Sequence, residues 1–148
     1  MAEIKLLARE HLCEVAEIER LCFSQPWSEQ SLGLLIADGG VGFVALVDGA
    51  VAAYGGMLYV LDEGQITNIA THPDYRRRGL ARAVVDALCE YAMEKELCSV
   101  FLEVRESNLA ARELYRGCGY AEIGTRRRFY RDPTEDAVLM ERKIDHKE

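Results

Sequence analysis

No apolar run in this chain approaches the length of a membrane span, and Met1 to Glu10 is broken by charge too often for a signal peptide. The five cysteines (Cys13, Cys22, Cys89, Cys98, Cys118) are an odd number, and none stands in C-x-x-C spacing. This argues against a disulfide framework and a zinc site, and predicts reduced thiols in a cytoplasmic protein. An excess of positive charge is also missing. Lysine and arginine total 18 against 25 aspartates and glutamates, a formal net charge of −7. A general nucleic-acid coat would need clustered cations instead. Linkers of low complexity, internal repeats and breaks in composition are absent too, so residues 1–148 are read as one domain, long enough for a real core.

What is present has the balance of a globular protein, 49% hydrophobic and 29% charged. Glu3 to Ala8 reads as a first strand, followed by helices over about His11 to Cys22 and Ser28 to Ala37. In the first helix Leu12, Val15, Ala16, Ile18 and Cys22 follow helical spacing, and Glu14, Glu17 and Glu19 are assigned to water. Phe43 to Val47 and Val51 to Val60 are β-rich runs separated by Asp48-Gly49, a strong hairpin signal. Gln65 to Thr71 is a further strand, stopped by Pro73. From Leu80 to Glu94, Leu80, Ala81, Val84, Val85, Leu88, Cys89 and Ala92 form one apolar stripe. Ser99 to Val104 reads as a buried strand, Asn108 to Arg116 as a helix closed by Gly117, and Tyr120 to Thr125 and Ala137 to Arg142 as two last strands. The order β-α-α-β-β-β-α-β-α-β-β predicts an α/β protein with a mixed sheet and helices on both faces.

Against the acidic background two arginine runs stand out, Arg76-Arg77-Arg78 and Arg126-Arg127-Arg128, and local basic patches of this kind suit a small anionic ligand. The first belongs to Asn68-Ile-Ala-Thr-His-Pro-Asp-Tyr-Arg76-Arg-Arg-Gly79-Leu-Ala81, a strand, a proline-stopped turn and a loop that opens a helix. Amides at a helix start lack intrahelical acceptors, the helix dipole adds partial positive charge there, and Gly79 lets the backbone approach an anion closely. The loop is neither the dinucleotide pattern G-x-G-x-x-G nor a P-loop, and a solvated basic turn is the plain alternative.

Glu103 is the odd residue in the apolar run Val100-Phe-Leu-Glu-Val104. A carboxylate there faces a cleft, is buried at a cost, or pairs at the surface with Arg105 or Arg112. Tyr115 follows Asn108 by seven residues, about two turns, so the two share a helical face. Asn108 could equally be a simple N-cap, with Ser107 its competitor, and Tyr115 a core aromatic.

Taken together, Arg76-x-x-Gly79-x-Ala81, Asn68-Ile69-Ala70, Leu102-Glu103-Val104-Arg105, Asn108, Leu114-Tyr115 and Gly119-Tyr120 resemble the GNAT N-acetyltransferases, and among them the RimI type, the ribosomal-protein-alanine N-acetyltransferases. Cys22-Phe23-x-x-Pro26-Trp27-Ser28 and Arg127-x-x-Tyr130 with Glu135-Asp136-Ala137 extend the likeness over nearly the whole chain. Departures are Ala81 where glycine is commoner, Tyr120 where phenylalanine is usual, and Phe129 where another tyrosine often precedes Tyr130. The resemblance implies a mostly antiparallel GNAT sheet and acetyl transfer from acetyl-coenzyme A to a protein N-terminus, without metal, nucleic acid or membrane. It implies Glu103 as general base and Tyr115 as the acid toward the leaving thiolate. Backbone groups of Ile69, Ala70 and Thr71 would face the acetyl carbonyl. Those of Arg77, Arg78, Gly79, Leu80, Ala81 and Arg82 would hold the diphosphate, and Asn108 the pantetheine arm. Trp27 and Tyr130 would shape the acceptor cleft, with Glu135 and Asp136 adding negative charge to receive a basic peptide. Three alternatives stay open: another acceptor amine (lysine, polyamine or other small molecule), an idle acyl-coenzyme A sensor, and a nucleic-acid module.

Overall fold

The structure is a computed structural model and describes residues 2–144. Seven strands and four α-helices follow in the order β1 (Ala2–Leu6), α1 (Leu12–Cys22), α2 (Glu29–Leu32), β2 (Gly40–Val47), β3 (Ala50–Val60), β4 (Glu63–Thr71), α3 (Leu80–Glu94), β5 (Ser99–Arg105), α4 (Leu109–Gly117), β6 (Ala121–Tyr130) and β7 (Glu135–Lys143). The strands form one sheet, ordered β1-β2-β3-β4-β5-β7-β6, in which only β4 and β5 run parallel. This is the mixed, mostly antiparallel sheet expected.

Local chemistry sets most of these elements. Asp48 and Gly49 both take positive φ and close β2 onto β3 with Val47 opposite Ala50, the two-residue hairpin their sequence predicts. On α3, Leu80, Val84, Val85, Leu88, Cys89 and Ala92 are buried, and each fully buried leucine or valine contributes about 1.5–3 kcal/mol. The helix sits close to β3: a Cβ on Gly55 would lie 2.5 Å from Ile69 Cδ1 and 2.6 Å from Val84 Cγ1. A second core packs α1 and α2 on Tyr54, Val44 and Ala70. Helices therefore cover both faces of the sheet.

Several sequence boundaries need correction. The stretch from Ser28 to Ala37 is one turn of α-helix, capped by the Ser28 hydroxyl, running into a 3-10 turn at Gly33–Ile36. β5 is buried on one face only, with Val100, Leu102 and Val104 inside and Phe101, Glu103 and Arg105 half-open. Gly117 is still helical, and the left-handed residue after α4 is Gly119. β6 continues through the arginine run to Tyr130, because an exposed edge strand need not alternate apolar and polar residues.

Glu19 is the largest departure. Sequence spacing assigns it to water, yet it is fully buried, because it lies on the same stripe as Leu12, Val15, Ala16 and Cys22.

Candidate active site

The sheet opens where the site lies. β4 and β5 pair only over Glu63 to Gln65 and Ser99 to Phe101, and no ladder joins them further along. On the other edge of β4, His72 N–H donates to Ala52 O at 2.8 Å, and Tyr54 stands opposite Ala70. Antiparallel alternation then turns the Ala70 amide toward β3 and those of Ile69 and Thr71 into the gap. Of these three residues, two present free-facing amides; Ala70 instead buries its side chain in the α1 core.

β4 leads through a short 3-10 turn at Pro73–Tyr75 into the arginine loop. Arg77 (φ 67°) and Gly79 (φ 75°) are both left-handed, and Gly79 is the N-cap of α3. Alternating backbone handedness gathers successive N–H groups into an anion nest, here continuous with the amides of Leu80, Ala81 and Arg82 at the helix start. The arginine side chains point several ways. Arg76 reaches the Cys22 sulfur (3.6 Å), Arg78 stacks on Tyr75 (5.2 Å), and Arg82 donates to Gly117 O (3.3 Å). The loop thus offers its backbone first.

A Cβ at Gly79 would meet no atom within 4 Å, so conformation rather than space calls for glycine. A β-branched side chain is a true outlier at this φ. Gly79→Val is expected to stay folded yet bind acetyl-coenzyme A about tenfold or more weakly, about 1.4 kcal/mol. Calorimetry giving equal affinities would remove the loop from the donor site.

Glu103 stands on the half-open face of β5, just past the end of the β4–β5 ladder, with its side chain 20% exposed. Gln65 Nε2 donates to its Oε1 at 3.0 Å, and Arg126 Nε lies 3.8 Å from its Oε2. Neither partner considered from sequence takes it. Arg112 binds Glu122 and the Glu106 carbonyl. Arg105 binds the carbonyls of Arg131 (2.8 Å) and Pro133 (2.9 Å) and the Glu135 carboxylate, and stacks on Tyr130 at 4.5 Å. Arg105 therefore fixes the β6–β7 turn and the Tyr130 ring, a role its sequence does not announce.

Tyr130 is half-buried, and burial followed by the nearby Glu103 charge pushes its hydroxyl pKa up to about 12. Tyr115 is buried on α4, its ring edge-on to Tyr120 at 6.0 Å. Burial, then the neighbouring Tyr130, holds its hydroxyl well above the usual tyrosine range, so it is a proton donor at neutral pH. The Tyr120 hydroxyl is buried without a hydrogen-bond partner among the described residues. Asn108 caps α4, Oδ1 accepting from Ala111 N–H at 3.1 Å, so the cap is real and its side-chain amide keeps two N–H donors for a ligand.

Trp27 and Tyr130 lie on two segments joined by Gln25 Nε2 donating to Asp132 Oδ2 at 3.4 Å. Tyr130 also lines a hollow of about 490 Å³ with Arg128, Arg131 and Thr134. The expected acidic lining of this side is not free. Hydrogen bonds from Ser107, then Arg105, hold Glu135 below the usual carboxylate range, and Asp136 accepts from Arg128 N–H at 2.8 Å. These carboxylates build the turn first, and the exposed cations here are Arg126, Arg127, Arg128 and Arg131.

Sequence reading also missed Glu19 and Gln65. Glu19 accepts from Trp27 N–H (2.7 Å), Asn68 Nδ2 (3.0 Å) and the Tyr54 hydroxyl. Burial raises its pKa, and the three donors offset part of that shift. Among the described residues no group of three or more histidines, cysteines and carboxylates could hold a metal ion.

Comparison with known proteins bears on the family and the fold. The sequence model of the acetyltransferase (GNAT) family matches residues 12–120. The [ribosomal protein bS18]-alanine N-acetyltransferase of Escherichia coli (strain K12) is 35% identical over 142 residues, 95% of this chain and 96% of that protein. A putative [ribosomal protein bS18]-alanine N-acetyltransferase of Bacillus subtilis (strain 168) is 34% identical over 141 residues, covering 94% and 93%. The crystal structure of the ribosomal-protein-S18-alanine N-acetyltransferase from Escherichia coli superposes with a TM-score of 0.92 at 34% identity, over 100% of this chain and 97% of that one.

Proposed function

The chain belongs to the acetyltransferase (GNAT) family, and we propose that it acetylates the N-terminal alanine of a ribosomal protein on its α-amine. It is an acetyl-coenzyme A-dependent N-acetyltransferase. The observation that carries the proposal is the likeness, at about a third identity and nearly full length, to enzymes named for that reaction. Three features support it: a half-open carboxylate just past the β4–β5 ladder, a left-handed loop at the start of α3, and two aromatic-bearing segments tied by the Gln25–Asp132 bond. The reading takes residues 1–148 as one acetyltransferase domain acting in the cytoplasm, in keeping with five free thiols, and gives no role to nucleic acid or membrane.

Each group then has a task. The nest at Arg77–Arg82 would hold the donor's diphosphate, Asn108 its pantetheine arm, and the Ile69 and Thr71 amides its carbonyl oxygen. When bound, acetyl-coenzyme A supplies an activated thioester. Glu103 would take the proton an α-amine must lose, directly or through a water, and Tyr115 would give one to the departing sulfur. Trp27 and Tyr130 would wall the acceptor.

Two peptides test the acceptor, one with a free alanine terminus and one blocked there but rich in lysine. Intact mass is expected to rise by one acetyl group on the free peptide alone. Equal rates on the blocked peptide would make the enzyme a lysine acetyltransferase, and reaction of a polyamine alone would make it a small-molecule enzyme.

A further inference from the structure

The Glu19 carboxylate has no part in the chemistry above, yet it is fully buried, and its position on α1 disfavours it twice. Water is excluded from it, and it stands in the last turn of a helix, where the dipole repels negative charge. A leucine there would continue the apolar stripe. What the carboxylate supplies instead is an acceptor for three donors from three different parts of the chain. Oε1 takes the Trp27 amide, and Oε2 takes Asn68 Nδ2 and the Tyr54 hydroxyl.

Those donors lie at informative places. Trp27 belongs to the segment between α1 and α2 that walls the acceptor side. Asn68 immediately precedes Ile69, whose amide faces the gap, and sits beside the irregularity in the β3–β4 register at Gly56/Met57. Tyr54 is a fully buried residue of β3, opposite Ala70, and anchors the group to the sheet. A second bond runs in parallel: Cys22 Sγ donates to Thr71 O at 3.3 Å, tying the end of α1 to the end of β4. A network satisfied on every side fixes one arrangement, whereas apolar packing alone tolerates sliding.

We propose that Glu19 is a positioning residue for acceptor recognition, clamping the Trp27 segment to β4 so that the acceptor wall keeps a fixed distance from the donor-binding amides. The peptide's terminal residue is thereby held against Trp27 while its amine reaches Glu103. This role rests on the proposed acceptor, but the clamp itself can be read without any acetyl transfer, because Trp27 is the only tryptophan in the chain.

Two variants test it. Glu19→Gln keeps shape and the bond to Trp27 but turns an amide donor toward Asn68 and Tyr54, and Asn68→Ala removes only the tie to β4. In both, acrylamide quenching of Trp27 fluorescence is expected to rise about twofold, reporting a loosened segment in a protein that still unfolds cooperatively. The KM for the acceptor peptide should rise about tenfold or more, with kcat at saturating peptide and acetyl-coenzyme A affinity each within about threefold. Unchanged quenching in both variants would reduce Glu19 to a packing residue, as would a raised KM without a change in Trp27. Weakened donor binding with an unaltered peptide KM would overturn the assignment to the acceptor side. If the wild-type protein acetylates no peptide, the proposed acceptor fails while the fluorescence still decides the clamp.

Discussion

Glu103→Gln is expected to lower kcat by about 10²- to 10⁴-fold at neutral pH, the range over which positioned general bases act, while acetyl-coenzyme A binds as before. An α-amine with a pKa near 8 is mostly protonated at pH 7 and cannot attack until that proton is removed. The substitution is nearly isosteric, and its amide oxygen can still accept from Gln65 Nε2, so the 3.0 Å contact that orients the side chain survives. What is lost is the basicity, together with the charge that pairs with Arg126 at 3.8 Å. The deficit should therefore shrink as pH rises through the pKa of the amine, when free base no longer has to be generated in the site. Rates at saturating donor and acceptor across that pH range check this directly. Wild-type turnover in Glu103→Gln at every pH would leave Glu103 as a strand carboxylate with no part in proton transfer.

Glu103 could be picked out from sequence because a charge inside an apolar strand is costly without a reason. Glu19 could not be picked out in the same way, since a glutamate in an amphipathic helix beside Glu14 and Glu17 looks solvated. Its register was nonetheless informative: it lies three or four residues from Val15, Ala16 and Cys22, inside the apolar stripe rather than opposite it. The α3 stripe, the Asp48-Gly49 hairpin and the loop at Gly79 were all legible, because each depends on short-range backbone chemistry. The partners of Arg105, Gln65 and Asp136 were not. Their contacts join residues 30, 38 and 8 positions apart, and only the folded sheet decides that Arg105 serves the β6–β7 turn instead of Glu103. The same limit explains why Glu135 and Asp136 read from sequence as free negative charge when the structure uses both to build that turn.

Tyr115→Phe should cost turnover without a comparable cost in stability. The ring is buried and packs on Tyr120, and phenylalanine keeps those contacts, so the midpoint of thermal unfolding should stay close to wild type. What disappears is a hydroxyl that burial keeps protonated well past the usual tyrosine range. Without that donor the thiolate must leave unprotonated or find water, and kcat is expected to fall by about 10²- to 10⁴-fold with donor affinity unchanged. The pH profile separates this residue from an ordinary surface tyrosine. If Tyr115 is the acid, its raised pKa predicts that wild-type kcat shows no falling limb centred near the unperturbed tyrosine value of about 10. A limb at that pH, abolished by Tyr115→Phe, would mean that the hydroxyl titrates as though exposed. Full turnover in Tyr115→Phe together with a marked loss of thermal stability would identify the residue as core packing and transfer the search for the acid to Tyr130, whose hydroxyl pKa burial and the nearby Glu103 charge push up to about 12.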